Sequence, residues 1–243
     1  FYRSVFSLLL LVCLTSSFRG RALSQEAPPL TSAQNVEKNL SGGETHTYRV
    51  LLSAGQFIRV LAEQRGIDLK ISISGTDGKA LAEIDLASST NETESACWIA
   101  ETEGNYQITI SATEKNARGK YSLKLEGPRA ATAQDRSQLS GQQTFYQAEE
   151  LFADNKPESR RKAAEKYAEA AGYWRAAGFR QGEALALYNG GDTFSRLREF
   201  QKAIDSLTGA LQIQRIVGNR SAEASTLNAI GSAYSTLGDK PKA

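Results

Sequence analysis

Residues 162–184, KAAEKYAEAAGYWRAAGFRQGEA, return at 202–224 as KAIDSLTGALQIQRIVGNRSAEA, forty positions on and without a gap. Lys162, Ala163, Ala170, Arg175, Gly178, Arg180, Glu183 and Ala184 recur as Lys202, Ala203, Ala210, Arg215, Gly218, Arg220, Glu223 and Ala224, with Tyr167 answered by Leu207 and Ala177 by Val217. Both copies carry apolar residues at helical spacing. A helical unit that repeats predicts a fold that grows by stacking, each unit burying the apolar face of its neighbour. Such a stack leaves a surface on which other molecules dock.

Outward from the repeat, helices are predicted at Gln142 to Asp154, Glu158 to Ala177, Gln181 to Leu197, Glu199 to Val217 and Ala222 to Leu237. Pro157 suits a first helical turn, where its missing N–H does no harm. Gly218 and Asn219 suit a left-handed C-terminal cap. Upstream the period changes to two. Thr45 to Leu52, Gln56 to Glu63, Asp68 to Ser74, Lys79 to Leu86, Glu94 to Ala100, Asn105 to Ala112 and Lys120 to Leu125 alternate apolar with polar residues and are rich in Ile, Val, Tyr and Thr. Short strands at roughly ten-residue spacing, separated by Gly-containing turns, predict an antiparallel β-sandwich. The stretch 128–141 shows neither period and reads as a connector.

The organisation expected is therefore a signal peptide over 1–24, a linker over 25–35, a β-sandwich over 36–127, a linker over 128–141 and helical repeats over 142–243. The repeats divide as 142–183, 184–223 and a partial unit, 224–243. The fold class is all-β followed by all-α, a sandwich and then an incomplete α-helical solenoid. The export signal rests on Arg3, the apolar run from Val5 to Leu14 and the small residues around Ala22-Leu23-Ser24. That run is shorter than the ~20 apolar residues a membrane span needs. Membrane association is expected only through an uncleaved signal segment. The chain opens on Phe1 and holds no Met, so it is expected to be a piece of a longer polypeptide.

Charge excludes one class of partner. The formal net charge is +2, but three Arg and no acids fall in residues 1–24, leaving 26 bases against 27 acids beyond them. Residues 25–127 hold 10 bases and 14 acids, residues 128–243 hold 16 and 13. Neither part has the dense basic stripe of a nucleic-acid binder. Cys97 is the only cysteine beyond residue 24, so no internal disulfide is expected there.

Catalytic and metal chemistry find few residues to work with. Cys97 and His46 are the only Cys and His beyond the signal, and both fall mid-strand with no activating base beside them. Cys97 reads as a small core residue, and His46, between Thr45 and Thr47, as a surface residue. One Cys and one His are too few for zinc. Asp68, Asp77, Glu83 and Asp85 are the oxygen ligands available for Ca²⁺, without the alternate spacing of a calcium loop. No Gly-rich run ends in Lys-Ser or Lys-Thr to cradle phosphate. No catalytic residue, metal or cofactor is expected.

The helical residues resemble tetratricopeptide repeats. The second unit offers Leu187, Gly191, Phe194, Ala203, Leu207 and Ala210 at the packing places of that family, and the third offers Leu227, Gly231, Tyr234, Gly238 and Ala243. The first unit departs, with Leu151 in the glycine place and Asp154 in the aromatic one. The resemblance implies that first helices line a concave face. Tyr188, Asp192, Ser195 and Arg196, with Asn228, Ser232 and Ser235, then face a groove that takes a protein or peptide partner. The forty-residue stride and the Arg-x-x-Gly-x-Arg endings (Arg175 to Arg180, Arg215 to Arg220) are similar to the repeats preceding caspase-like CHAT peptidase domains in exported bacterial proteins. Gly43 to Tyr48, Ala54 to Phe57, Gly66 to Leu69 and Gly104 to Tyr106 resemble pre-peptidase C-terminal sandwich modules. These resemblances imply an exported, non-catalytic interaction scaffold, or else the recognition part of a longer CHAT-type cysteine peptidase.

Overall fold

The computed structural model of the chain describes residues 26–86 and 92–238. The predicted signal peptide and Ala243 lie outside the described residues. Among the described residues eight strands precede five helices: β1 Asn35–Ser41, β2 Thr45–Leu52, β3 Gln56–Arg65, β4 Leu69–Ser74, β5 Ala80–Ile84, β6 Thr93–Ile99, β7 Gly104–Ala112, β8 Arg118–Ala130, α1 Ala133–Ala153, α2 Pro157–Ala177, α3 Arg180–Arg196, α4 Phe200–Val217 and α5 Arg220–Leu237.

The strands form two four-stranded antiparallel sheets, ordered β1-β8-β3-β6 and β2-β7-β4-β5. Alternation decides what lies between them. Tyr48, Val50 and Leu52 of β2, Ile71 and Ile73 of β4, Ile108 and Ile110 of β7 and Leu123 and Leu125 of β8 all point inward and are buried. Two stretches read as connectors prove to be structured. Residues 28–30 lie along the open edge of β2, where Leu30 N–H donates to Arg49 O at 2.8 Å and Arg49 N–H to Pro28 O at 3.0 Å, and Leu30 enters the core. In the stretch 128–141, β8 continues to Ala130 and α1 begins at Ala133. Its helical start is set by a capping box: Thr132 Oγ1 accepts from Asp135 N–H at 3.2 Å and Asp135 accepts from Thr132 N–H at 2.8 Å.

The first half of α1 carries no apolar stripe because it meets the sheet through hydrogen bonds. Gln142 Oε1 accepts from Cys97 N–H at 2.9 Å, and its Nε2 donates to Cys97 O at 3.2 Å. The side-chain amide thus fills the backbone groups that edge strand β6 turns away from β3. Gln138 accepts from Arg59 Nη2. Asp135 accepts from Arg129 Nη2 at 2.8 Å, and the Arg129 guanidinium lies 4.8 Å from the Phe57 ring. The Arg129 charge beside it holds Asp135 well below the usual carboxylate range.

The helices pack in sequence, α1 on α2, α2 on α3, α3 on α4 and α4 on α5, while α3 also touches α1 and α5. Steric room at glycine fixes two of the crossings. The Trp174 indole is fully buried between Gly141 of α1 and Gly182 of α3, where any Cβ would fall within 2.6 Å of it. A Cβ on Gly191 of α3 would lie 2.6 Å from Leu207 Cγ of α4. The duplication reappears as geometry. Gly178 and Gly218 end α2 and α4 in the left-handed conformation, at φ 69° and 74°. Beyond each cap stands the same charge clamp: Glu183 accepts from Arg175 Nε at 2.7 Å and Arg180 Nη1 at 3.1 Å, and Glu223 from Arg215 Nε at 2.8 Å and Arg220 Nη1 at 2.7 Å.

Candidate protein-binding surface

Tyr188, Asp192, Ser195 and Arg196 follow one another at helical spacing and so share a face of α3. Asp192 accepts from Arg196 Nε at 2.7 Å, and the Arg196 guanidinium lies 5.3 Å from the ring of Phe152 at the end of α1. Ser195 is half-buried. On α5, Asn228, Ser232 and Ser235 are all exposed. Because α3 touches both α1 and α5, the three helices that open each hairpin stand side by side. Beneath them lies a polar knot: Glu149 of α1 accepts from Tyr167 of α2 at 2.6 Å and from Asn189 of α3 at 2.8 Å. It ties three helices together, the half-buried Glu149 carboxylate taking one donor from each of the other two.

The packing residues separate into two groups. Ala203, Leu207 and Ala210 are fully buried against α3, while Leu187 and Phe194 are half-buried. Leu187 O accepts from Ser206 of α4 at 2.8 Å, and Lys202 Nζ lies 5.5 Å from the Phe194 ring. On α5, Gly231 and Tyr234 are half-buried, Leu227 is 44% exposed, and Gly238 closes the helix at φ 81°.

Tyr188 also faces a cavity of about 350 Å³ that the sequence did not announce. Its walls come from both parts of the molecule: Leu86 and Thr93 of the sandwich, Leu185 and Tyr188 of α3, Gln214 of α4 and Ala222 of α5. Asn219, also in the wall, donates to Glu92 Oε1 at 3.1 Å and so ties the start of α5 to the sandwich. Burial, and then the neighbouring Asp192, raises the Tyr188 phenol above its ordinary value. Gln214 is 4% exposed, and its Oε1 finds no donor among the described residues. One signal for it was available: Gln214 stands forty residues after Trp174, where the first copy of the unit has its largest side chain.

Cys97 and His46 are not brought together. Cys97 is buried beneath α1 beside Gln142, and burial pushes its thiol up to about 12, far from a reactive thiolate. His46 is not the surface residue expected. It shares the inner face of β2 with Tyr48 and is half-buried, with Nδ1 2.7 Å from Tyr121 Oη of β8, itself 2.8 Å from Tyr48 Oη. This chain of hydrogen bonds joins the two sheets. Three of the four acids weighed for Ca²⁺ have other partners: Thr113 donates to Asp68 at 2.8 Å, Lys79 N–H to Asp77 at 3.0 Å and Lys70 to Glu83 at 2.9 Å. Among the described residues no group of three or more His, Cys, Asp or Glu converges to hold a metal, and no helix is long and apolar enough to cross a membrane.

No family model matches the chain, and no curated protein matches it. Among solved structures it is similar to the pre-peptidase C-terminal domain of a collagenase from Bacillus anthracis, at 16% identity and TM-score 0.32 over 38% of this chain and 88% of that one. It is also similar to Aeromonas hydrophila PliG, a periplasmic inhibitor of g-type lysozyme, at 11% identity and TM-score 0.32 over 41% of this chain and 95% of that one.

Proposed function

We propose that this chain is an exported, non-catalytic interaction protein, a β-sandwich carrying tetratricopeptide-type helical layers whose first helices, α1, α3 and α5, present a surface to a protein or peptide partner. The observation that carries this reading is the recurrence of the glycine cap and the Arg–Glu–Arg clamp at a stride of forty residues. Equal clamps at equal intervals hold successive hairpins at similar angles, which is how a stacked array keeps one continuous face. The partner surface is Tyr188, Asp192, Ser195 and Arg196 with Asn228, Ser232 and Ser235, where an aromatic anchor and a guanidinium meet polar rim residues. The inert setting of Cys97 supports a non-catalytic role for these residues. Export rests on residues 1–24.

A photo-crosslinking amino acid at Asn228 or Ser232, compared with one at the exposed Glu165 or Gln201 on the second helices, tests the reading. Partner adducts are expected from the first pair, competed by unlabelled protein and weakened by Arg196→Glu. Equal adducts from both pairs of positions would exclude α3 and α5 as the docking face.

A further inference from the structure

We propose that the cavity between the sandwich and helices α3 to α5 is a binding site for an uncharged aromatic group bearing an N–H or O–H donor, with the Gln214 carbonyl as its acceptor. The chain itself supplies the template. In the first helical layer the equivalent space is filled by Trp174, which lies against Gly182, 5.8 Å from the Phe179 ring and 5.3 Å from that of Phe145, and whose indole N–H donates to Gln138 O at 3.2 Å. Forty residues on, the same four places hold Gln214, Ala222, Asn219 and Leu185. All four line the cavity. The second layer therefore lacks the indole, and with Gln181 and Ala222 in the places of Gly141 and Gly182 its open space differs in shape from the slot that Trp174 fills.

Two further observations point to a ligand rather than to a packing fault. Gln214 is nine-tenths buried and more, yet its Oε1 has no donor among the described residues. A carbonyl in that position is costly unless something donates to it. The volume, about 350 Å³, falls within the range of ligand pockets, roughly 300–1,000 Å³. Charge narrows the class: among the described residues the lining contains no Lys or Arg, and its one acid, Glu92, accepts from Asn219. An anionic ligand would enter without a countercharge. A neutral ring with one donor matches walls that are apolar apart from amides and hydroxyls.

This site goes beyond the docking face and does not depend on it. The test uses the full chain, with N-acetyltryptophanamide as the neutral probe, N-acetyltryptophan as its anionic counterpart and a blocked Gly-Gly-Trp-Gly-Gly peptide. Binding is read by saturation-transfer NMR and calorimetry. The neutral amide is expected to bind with a Kd on the order of a millimolar, as its size allows, and the carboxylate at least about fivefold more weakly. Gln214→Leu, which removes the acceptor and keeps the space, should weaken the amide about five- to tenfold. Gln214→Trp, which places a bulky ring in the cavity and removes the acceptor, should abolish binding. Tighter binding of the peptide than of the free amide assigns the slot to a side chain of a partner, and the reverse assigns it to a free small molecule; either outcome upholds the site. No binding of either neutral probe at about ten times the expected Kd overturns it, as does unchanged binding in Gln214→Leu. Loss of probe binding with persistent crosslinking at Asn228 would refute this site and leave the docking face standing.

Discussion

Replacing Gly191 by alanine sets two effects against each other. In a helix interior alanine is favoured over glycine by about 1 kcal/mol. Against that, a Cβ on Gly191 would stand 2.6 Å from Leu207 Cγ, 2.9 Å from Leu207 Cδ2 and 3.2 Å from Ala203 O. Leu207 is fully buried, and the Ala203 oxygen is backbone, so neither withdraws without moving α4. Overpacking of this kind costs about 1–3 kcal/mol. The steric effect wins, and Gly191→Ala should lose up to about 2 kcal/mol. Gly172 supplies the control, since it sits in α2, exposed, with nothing within 4 Å of its ideal Cβ. Gly172→Ala should therefore gain about 0.5–1 kcal/mol from propensity alone. At ~2–4 °C per kcal/mol for a chain of this size, the two midpoints should differ by roughly 1–12 °C. Thermal and urea unfolding followed by far-UV circular dichroism should rank Gly172→Ala above the parent and the parent above Gly191→Ala, with Gly191→Leu lowest. A Gly191→Ala protein as stable as Gly172→Ala would mean that α3 and α4 do not cross at the distance seen, and the packing argument would fail with it.

Four other outcomes are expected. Burial, and then Lys38, lowers the His46 pKa from 6.5 against the opposing pull of Glu44; the folded state thus binds the proton less readily than the unfolded one, so sandwich stability should hold above pH 6.5 and fall as the pH drops toward 5. His46→Gln should flatten that dependence in urea titrations. Gln142→Ala strands the N–H and C=O of Cys97 and should cost about 2 kcal/mol or more; Gln142→Glu, which keeps only the acceptor, should fall between it and the parent in the same assay. Glu183 is 2% exposed, so Glu183→Ala should lose about 1–3 kcal/mol, whereas the more accessible Glu223 should tolerate the same change with a smaller drop in midpoint. Helix α5 buries only Thr226 and Ala233 among its described side chains, and hydrogen exchange in a polypeptide of these residues should be much faster in α5 than in α4; equal protection would contradict the packing described.

Elements whose stabilising contacts follow a simple period were legible in the sequence. Seven strands alternate because one face of each is buried, and α2 to α5 repeat because each lays one stripe on its neighbours. β1 escaped notice because NVEKNLS buries only Leu40 and is held by backbone pairing to β8. The first half of α1 escaped because its inward residues, Asp135, Gln138 and Gln142, are polar, and a search for apolar spacing cannot see a helix that meets a sheet through hydrogen bonds. His46 was legible and misread: counting by two from Tyr48, Val50 and Leu52 puts it on the inner face, and its flanking threonines point the other way. The stripe Tyr188, Asp192, Ser195 and Arg196 follows from helical spacing alone. The cavity does not, because it needs the meeting of Leu86 and Thr93 with helices more than eighty residues later.

The division of labour within α1 explains how an antiparallel sandwich and a helical stack come to be joined without a flexible linker. A sandwich of two open sheets has edges, and β6 turns unpaired backbone toward solvent unless something covers it. Gln142 answers one residue of that edge from one side of α1, while Phe145 and Ala148, one turn further on, face Tyr167 and Trp174 of the helical core. One helix thus finishes the sheet and starts the stack. Its N-terminus is fixed by Arg129, the penultimate residue of β8, through Asp135, so the strand sets the direction in which the helices begin. Asn219 reaching Glu92 closes the arrangement at the other end. The orientation of the stack relative to the sandwich is therefore set at both ends of this arrangement, and a cut between Thr132 and Asp135 would separate the capping pair that starts α1.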